Sequence, residues 1–399
     1  MERADRRFGM FVCAVVLAGV GWVTLAGDLN PPAGPVVPTM KTLDQVEPRI
    51  AINAINTPGD ADSVYRIAAP GSYYLAGNVT GVAGRHGIEI VATNVTVDLN
   101  GFALMGAAGS LDGVTVTVSN LANIVIRNGS VVGWGDDGVD LNTFNSQNTV
   151  VREVLASDNA SEGVRIGPWG RVSGCGVLNN GGYGIITGTN GIVEDCIARA
   201  NDLVGIATST SSTIIRCTAS DNALQGIAAG IGSTMWDCAS SGNTGAGFSV
   251  GTGCSIANCA AYANTGEGFS LSSACSIVGC TASFNALDGI RVSSDSIVRD
   301  NQCDSNGNVG DGAGIHVIGS DNRIEGNNCT DSDRGIDIDT AGNLVIRNSC
   351  AGNAVNWDIV ANNVCGPILD RLIPGSGAIL GNSAPDSTGS THPNANFTY

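Results

Sequence analysis

The sequence predicts an all-β solenoid, and three observations predict it. A glycine followed by an apolar-x-apolar triplet returns at a fixed interval, and an asparagine returns with it. Glycine supplies 56 of the 399 residues, whereas aromatic residues make up 5% and charged residues 14%. A globular core of this length would carry more large side chains, but a solenoid needs few because each coil packs only on its neighbours. The 43% hydrophobic content still suffices for a continuous core and argues against a disordered chain.

The index glycines are Gly87, Gly113, Gly138, Gly163, Gly184, Gly205, Gly226, Gly247, Gly268, Gly289, Gly314 and Gly335, with Asn356 in the last slot. Their spacings are 26, 25 and 25, then six of 21, then 25, 21 and 21. Within most coils, apolar residues stand one and three places after the glycine, as Ile206, Phe248 and Ile290 do at the first of these. Cys175, Cys196, Cys217, Cys238, Cys259 and Cys280 stand twelve places after it. Asn180, Asn201, Asn222, Asn243, Asn264 and Asn285 stand seventeen places after it, and Asn159 and Asn306 extend that column. This order gives short strands of period two separated by turns. Stacked at ~4.8 Å, about thirteen such coils make a rod of ~60 Å. Asparagine suits the turns, because it tolerates left-handed backbone and its amide can bond the next coil's amide.

A coil of 21 to 25 residues with this glycine-led triplet and an asparagine turn ladder resembles the right-handed parallel β-helix repeat family. Pectate lyases, polygalacturonases, alginate epimerases and many uncharacterised bacterial surface proteins share that fold. The resemblance implies a right-handed parallel β-helix over residues 86–365. The segments Pro70-Gly71-Ser72-Tyr73-Tyr74-Leu75 and Asn94-Val95-Thr96-Val97-Asp98-Leu99-Asn100-Gly101 look like those of uncharacterised exported members. The enzyme motifs do not carry over. Gly135-Asp136-Asp137-Gly138-Val139-Asp140 resembles a fragment of a polygalacturonase acid motif, but the Gly-His-Gly and Arg-Ile-Lys that should follow do not. The Asp-Pro-His-Glu of alginate epimerases and the Ca²⁺-binding nonapeptide of secreted toxins are absent from the sequence.

Residues 1–26 read as a signal peptide, with Arg3, Arg6 and Arg7 before an apolar run from Phe8 to Leu25, and Thr24 and Ala26 at a small-residue cleavage site. The alternative is an uncleaved anchor. A secreted or cell-surface location follows, with no later stretch apolar enough to span a membrane. Residues 27–45 form a Pro-rich linker. Residues 46–85 form an N-terminal cap and first strands; Met40 to Ala54 fits a short helix, broken at Pro48, over the open end. Residues 366–399 form a C-terminal cap and flexible tail. The net charge is −17 and Lys41 is the single lysine, which excludes nucleic acid and acidic lipid as partners. It also argues against a polyanionic sugar unless a divalent cation bridges the two.

Two regions carry candidate chemistry. The residue two places after the index glycine faces solvent, between two inward neighbours. In that column Arg291, His316 and Asp337 fall on successive coils, ~4.8 Å apart. An aspartate can there orient a histidine, and an arginine can stabilise developing negative charge. Asp288 and Arg334 flank this strip as substrate contacts, and Trp134 and Trp169 are candidate sugar platforms. The plain alternative is alternating charge on a solvated face. Toward the other end, Asp136, Asp137, Asp140 and Glu162 offer the clustered oxygens that Ca²⁺ prefers, against the alternative of an acidic turn. No cofactor is required. The stacked cysteines read as buried thiols filling a narrow core, because their Cβ vectors run parallel and do not suit disulfides. The functional expectation is an exported structural or glycan-binding solenoid with polysaccharide as partner. The alternative is a polysaccharide lyase or glycoside hydrolase using the charged strip, though mostly minimal coils leave few loops to build a groove.

Overall fold

In the computed structural model, residues 47–307, 310, 312–370 and 392–399 are described. The expected signal segment and Pro-rich linker, part of the insertion after Asn306 and residues 371–391 of the expected tail lie outside them. Each regular coil holds three short strands. In the coil opened by Gly163 these are Val164–Ile166, Arg171–Ser173 and Gly176–Leu178. The first strands of successive coils stack into one 14-stranded sheet, from Ser63–Ile67 to Val355–Ile359; the other two stack within a 28-stranded sheet. The fourteen strands exceed the thirteen indexed coils by one, because Ser63–Ile67 pairs with His86–Ile90 and completes an earlier coil.

The ladder pairings are parallel, and the register follows the glycine count. Val164, Ile185, Ile206, Ile227, Phe248, Phe269 and Ile290 pair in succession, and all are fully buried. Phe248 and Phe269 stack with centroids 4.7 Å apart and planes 8° apart. This continuous column burial is the source of stability, since a three-residue strand is too short to stand alone.

Three corners per coil share one construction. A left-handed residue turns the chain, and the next residue points inward. In the Gly163 coil the left-handed residues are Trp169, Gly174 and Asn179, with φ of 52°, 61° and 54°. Cys175 and Asn180 follow the last two. At all three corners there are inward side chains that accept the backbone N–H of their counterpart one coil earlier. Asn180 Oδ1 takes the Asn159 N–H at 3.2 Å, Ser233 Oγ that of Ser212 at 3.1 Å, and Cys280 Sγ that of Cys259 at 3.4 Å. The cysteine column then becomes an asparagine column, as Asn301 Oδ1 accepts the Cys280 N–H at 2.9 Å. The left-handed residue therefore precedes the ladder asparagine, one place earlier than the sequence suggested. A side chain that must reach the next coil's amide projects inward, and its neighbour makes the turn.

All twelve described cysteines are free thiols, and eleven of them are buried. No helix occurs among the described residues, so the expected cap helix is not formed at 47–54; Ile50–Ala51 is instead a strand on Tyr73–Tyr74. At the other end, Asn396–Thr398 pair with Ile368–Asp370, and Phe397 and Thr398 with Ser349 and Cys350. Asn396 is fully buried, and its Oδ1 accepts the Asn348 N–H at 2.9 Å. This part of the expected flexible tail extends the ladder.

Candidate functional site

The 14-stranded sheet sets Arg291, His316, Asp337 and Asp358 side by side on four successive coils. His316 is the centre of a polar cluster. Its Nδ1 lies 2.9 Å from Asp288 Oδ2, and its Nε2 lies 3.1 Å from Asp339 Oδ2 and 3.9 Å from Asp337 Oδ2. Asp288 is buried, and its other oxygen accepts the Ala313 N–H at 2.8 Å, which fixes its orientation. Arg334 bonds Asp358 through Nε at 3.0 Å and approaches Asp337 at 3.5 Å. The hydrogen bond to Asp288 outweighs the cost of burial and raises the His316 pKa to about 9. Burial raises that of Asp337, opposed by His316 and Arg334.

Sequence reasoning missed Asp339, which stands two places beyond Asp337 and just past the strand end. Among the described residues, His316, Asp337 and Asp339 are the one group of three whose ligating atoms all lie within 4.8 Å of one another. These are the residues that could hold a metal ion.

Arg291 lies beside His316 in the sheet. It lines a cleft of about 360 Å³ with Ser249, Ser270, Ser272, Ser273 and Ser293.

The acids toward the other end do a different job. Asp112 Oδ1 accepts the Asp137 N–H at 3.0 Å, and Asp137 Oδ1 accepts the Glu162 N–H at 2.8 Å. Asp112, Asp137 and Glu162 thus form a carboxylate ladder between coils, and among the described residues the acids of this end are not a group of three whose ligating atoms all lie within 4.8 Å of one another. Burial and a proton shared with Glu162 push Asp137 up to about 8, while Glu162 is held low by the hydrogen bonds from Asp137 and Ser161 despite its own burial. Burial raises Asp140 to about 6. His86 lies 3.1 Å from Asp112 and joins this end, a pairing that the sequence reading did not anticipate.

The two tryptophans part company. Trp134 is buried, with its indole N–H donating to Leu104 O at 3.2 Å. Its ring lies over the index glycines: a Cβ on Gly87 would stand 2.6 Å from it. It is core and cannot stack on a sugar from outside. Trp169 is 57% exposed at a left-handed corner. It lines a recess of about 320 Å³ with Asn120, Asn145, Ser146, Gln147 and Pro168. Asn145 Nδ2 donates to Asn120 Oδ1 at 3.1 Å. Gly167 lets the corner sit down on the Ser146 carbonyl, since a Cβ there would be 2.3 Å from that oxygen.

No family model matches the sequence, and no curated protein matches it. Solved structures do. The A-module of mannuronan C-5 epimerase AlgE4 from Azotobacter vinelandii superposes with a TM-score of 0.53 at 18% identity, covering 74% of this chain and 91% of that one. The A-module of AlgE6 from the same organism gives 0.50 at 15% identity, covering 74% and 89%. The chain is a parallel β-helix. At these identities the likeness fixes the fold of the β-helix and leaves its chemistry to its own residues.

Proposed function

We propose that this β-helix is an exported protein of the cell surface or extracellular space that binds polysaccharide, with the Trp169 recess as its principal contact. The exposed indole carries this reading. A large aromatic held outward on a rigid corner, in a backbone conformation that bulky residues rarely adopt, is costly for packing alone. An apolar ring face beside amide side chains matches a pyranose, which offers an apolar C–H face and a rim of hydroxyls. Asn120, Asn145 and Gln147 supply both donors and acceptors. The serine-lined cleft at Arg291 offers a second polar contact on the sheet face. Both solved neighbours are named for mannuronan, a polysaccharide.

A lyase or hydrolase built on Arg291, His316 and Asp337 is the second reading. The geometry weighs against His316 as a general base, because both ring nitrogens face carboxylates that hold it as imidazolium at neutral pH. A glycan array on the purified chain, followed by titration of Trp169→Ala, tests the proposal. Binding that weakens at least ~10-fold in the variant, equivalent to about 1.4 kcal/mol, is expected. No bound glycan, or equal binding by Trp169→Ala, overturns it. Reducing-end and unsaturated-product assays on each bound glycan separate binding from catalysis.

A further inference from the structure

The His316 cluster has a second property that glycan binding does not use. We infer that His316 Nε2, Asp337 Oδ2 and Asp339 Oδ2 form a binding site for one divalent first-row transition ion, of which Zn²⁺ is the best match. Three observations support it, and none depends on the glycan reading.

The first is spacing. Ligands at ~2.0–2.1 Å from a tetrahedral Zn²⁺ stand roughly 3.3 Å from one another. The distances from Nε2 to the two carboxylate oxygens, 3.1 and 3.9 Å, bracket that value, and all three ligand atoms lie within 4.8 Å of one another.

The second is orientation. A metal-bound histidine characteristically donates its other ring N–H to a carboxylate, which fixes the tautomer and aims the free nitrogen. Asp288 does this for His316 at 2.9 Å. Asp288 is in turn buried and pinned by the Ala313 N–H. The supporting shell is therefore built before any ion arrives.

The third is charge. Asp288, Asp337 and Asp339 place three carboxylates around one imidazole, and Arg334 divides itself between Asp337 and Asp358. A dication that takes the place of the Nε2 proton, released to solvent, corrects that imbalance. It would also displace Arg334 from Asp337, leaving its 3.0 Å bond to Asp358.

The donor set selects the ion. One imidazole nitrogen with two carboxylate oxygens suits Zn²⁺, Co²⁺ or Mn²⁺, whereas Ca²⁺ takes six to eight oxygens and gains nothing from a nitrogen. Three protein ligands with Asp339 at the surface leave a coordination position open to water or to a ligand oxygen.

The test is direct metal binding to the full chain, with Zn²⁺ followed by calorimetry and Co²⁺ by its visible ligand-field bands. One equivalent of each is expected, with Ca²⁺ at 100-fold excess failing to displace Zn²⁺. Asp339 is exposed, so Asp339→Asn should fold, as circular dichroism would verify, and bind at least ~10-fold more weakly. Asp288→Asn, which removes the orienting acceptor and one of the three carboxylate charges, should cost about 10–100-fold. His316→Gln should abolish the Co²⁺ bands. Sub-stoichiometric binding, displacement by Ca²⁺, or a thiolate charge-transfer band that persists unchanged in Asp339→Asn and His316→Gln would overturn the assignment. The last outcome would place the ion on cysteine.

Discussion

His316 Nδ1 lies 2.9 Å from Oδ2 of Asp288, a residue one coil earlier whose other oxygen is held by a backbone amide. This contact sets a pH dependence for the metal-free chain. The folded pKa, about 9, is above the ordinary 6.5, so the stabilisation is fully present below about 6.5 and is lost as pH rises through 9. Unfolding midpoints should fall over that window in the parent chain. His316→Gln keeps a donor toward Asp288 but does not titrate, so its profile should be flatter. Equal slopes in the two proteins would refute the assignment.

Asp137 acts in a lower window. Its carboxyl is raised from 3.8 to about 8 by burial and by the neighbouring Glu162. A folded pKa above the unfolded value means that stability is lost as pH climbs from about 4 through 8. Asp137→Asn retains an oxygen for the Glu162 N–H, now 2.8 Å away, and carries no charge. The variant should melt higher than the parent at pH 8 and no higher at pH 4. Thermal melts at the two values decide it, and a pH-independent difference would mean that the shared proton is not the cause.

The asparagine ladder should be the most sensitive structural feature. Asn243 is fully buried; its Oδ1 accepts from the Asn222 N–H and Nδ2, and its own Nδ2 donates to Asn264 Oδ1 at 2.9 Å. Asn243→Ala strands the buried Asn222 N–H and takes one acceptor from its Nδ2, while Asn264 Oδ1 keeps the backbone N–H of residue 243, at a cost of about 2–3 kcal/mol. The exposed Asn258, left-handed at another corner, should tolerate Asn258→Gly within about 0.5 kcal/mol, because glycine accepts that conformation. Urea melts of both variants give the comparison; a smaller loss for Asn243→Ala than for Asn258→Gly would reverse the ranking.

These residues also show what the sequence could reveal. Counting from the glycines put Arg291, His316 and Asp337 in one column, and the strands pair them in that register. Counting works because a coil shifted by one residue would turn its whole apolar set outward. It fails where position depends on more than the period. Asp339 lies past a strand end, so its direction is set by the corner. Trp134 is buried because the glycine column beneath it has no side chains, a vacancy that a one-dimensional pattern does not display. Asn396 follows Asn348 by 48 residues, not 21, so no interval could place it in the ladder. Trp169 and its recess depend on Asn120 and Asn145, which come from two earlier coils.

The last prediction concerns why cysteine occupies a corner that asparagine fills elsewhere. Cys280 receives the Cys259 N–H on sulfur at 3.4 Å and gives its own N–H to Asn301 Oδ1 at 2.9 Å. It sits where the column changes from thiol to amide. If sulfur serves there as an acceptor, shape alone is not sufficient. Cys280→Ser keeps an acceptor and should cost less than about 1 kcal/mol. Cys280→Val keeps the apolar bulk but strands the Cys259 N–H, and should cost about 1–3 kcal/mol. Denaturant melts under reducing conditions measure both. Valine as stable as the parent would mean that the thiols are filler and nothing more. Serine close to the parent, with valine well below it, would show that the Cys280 sulfur is the inward acceptor that asparagine and serine supply at other corners.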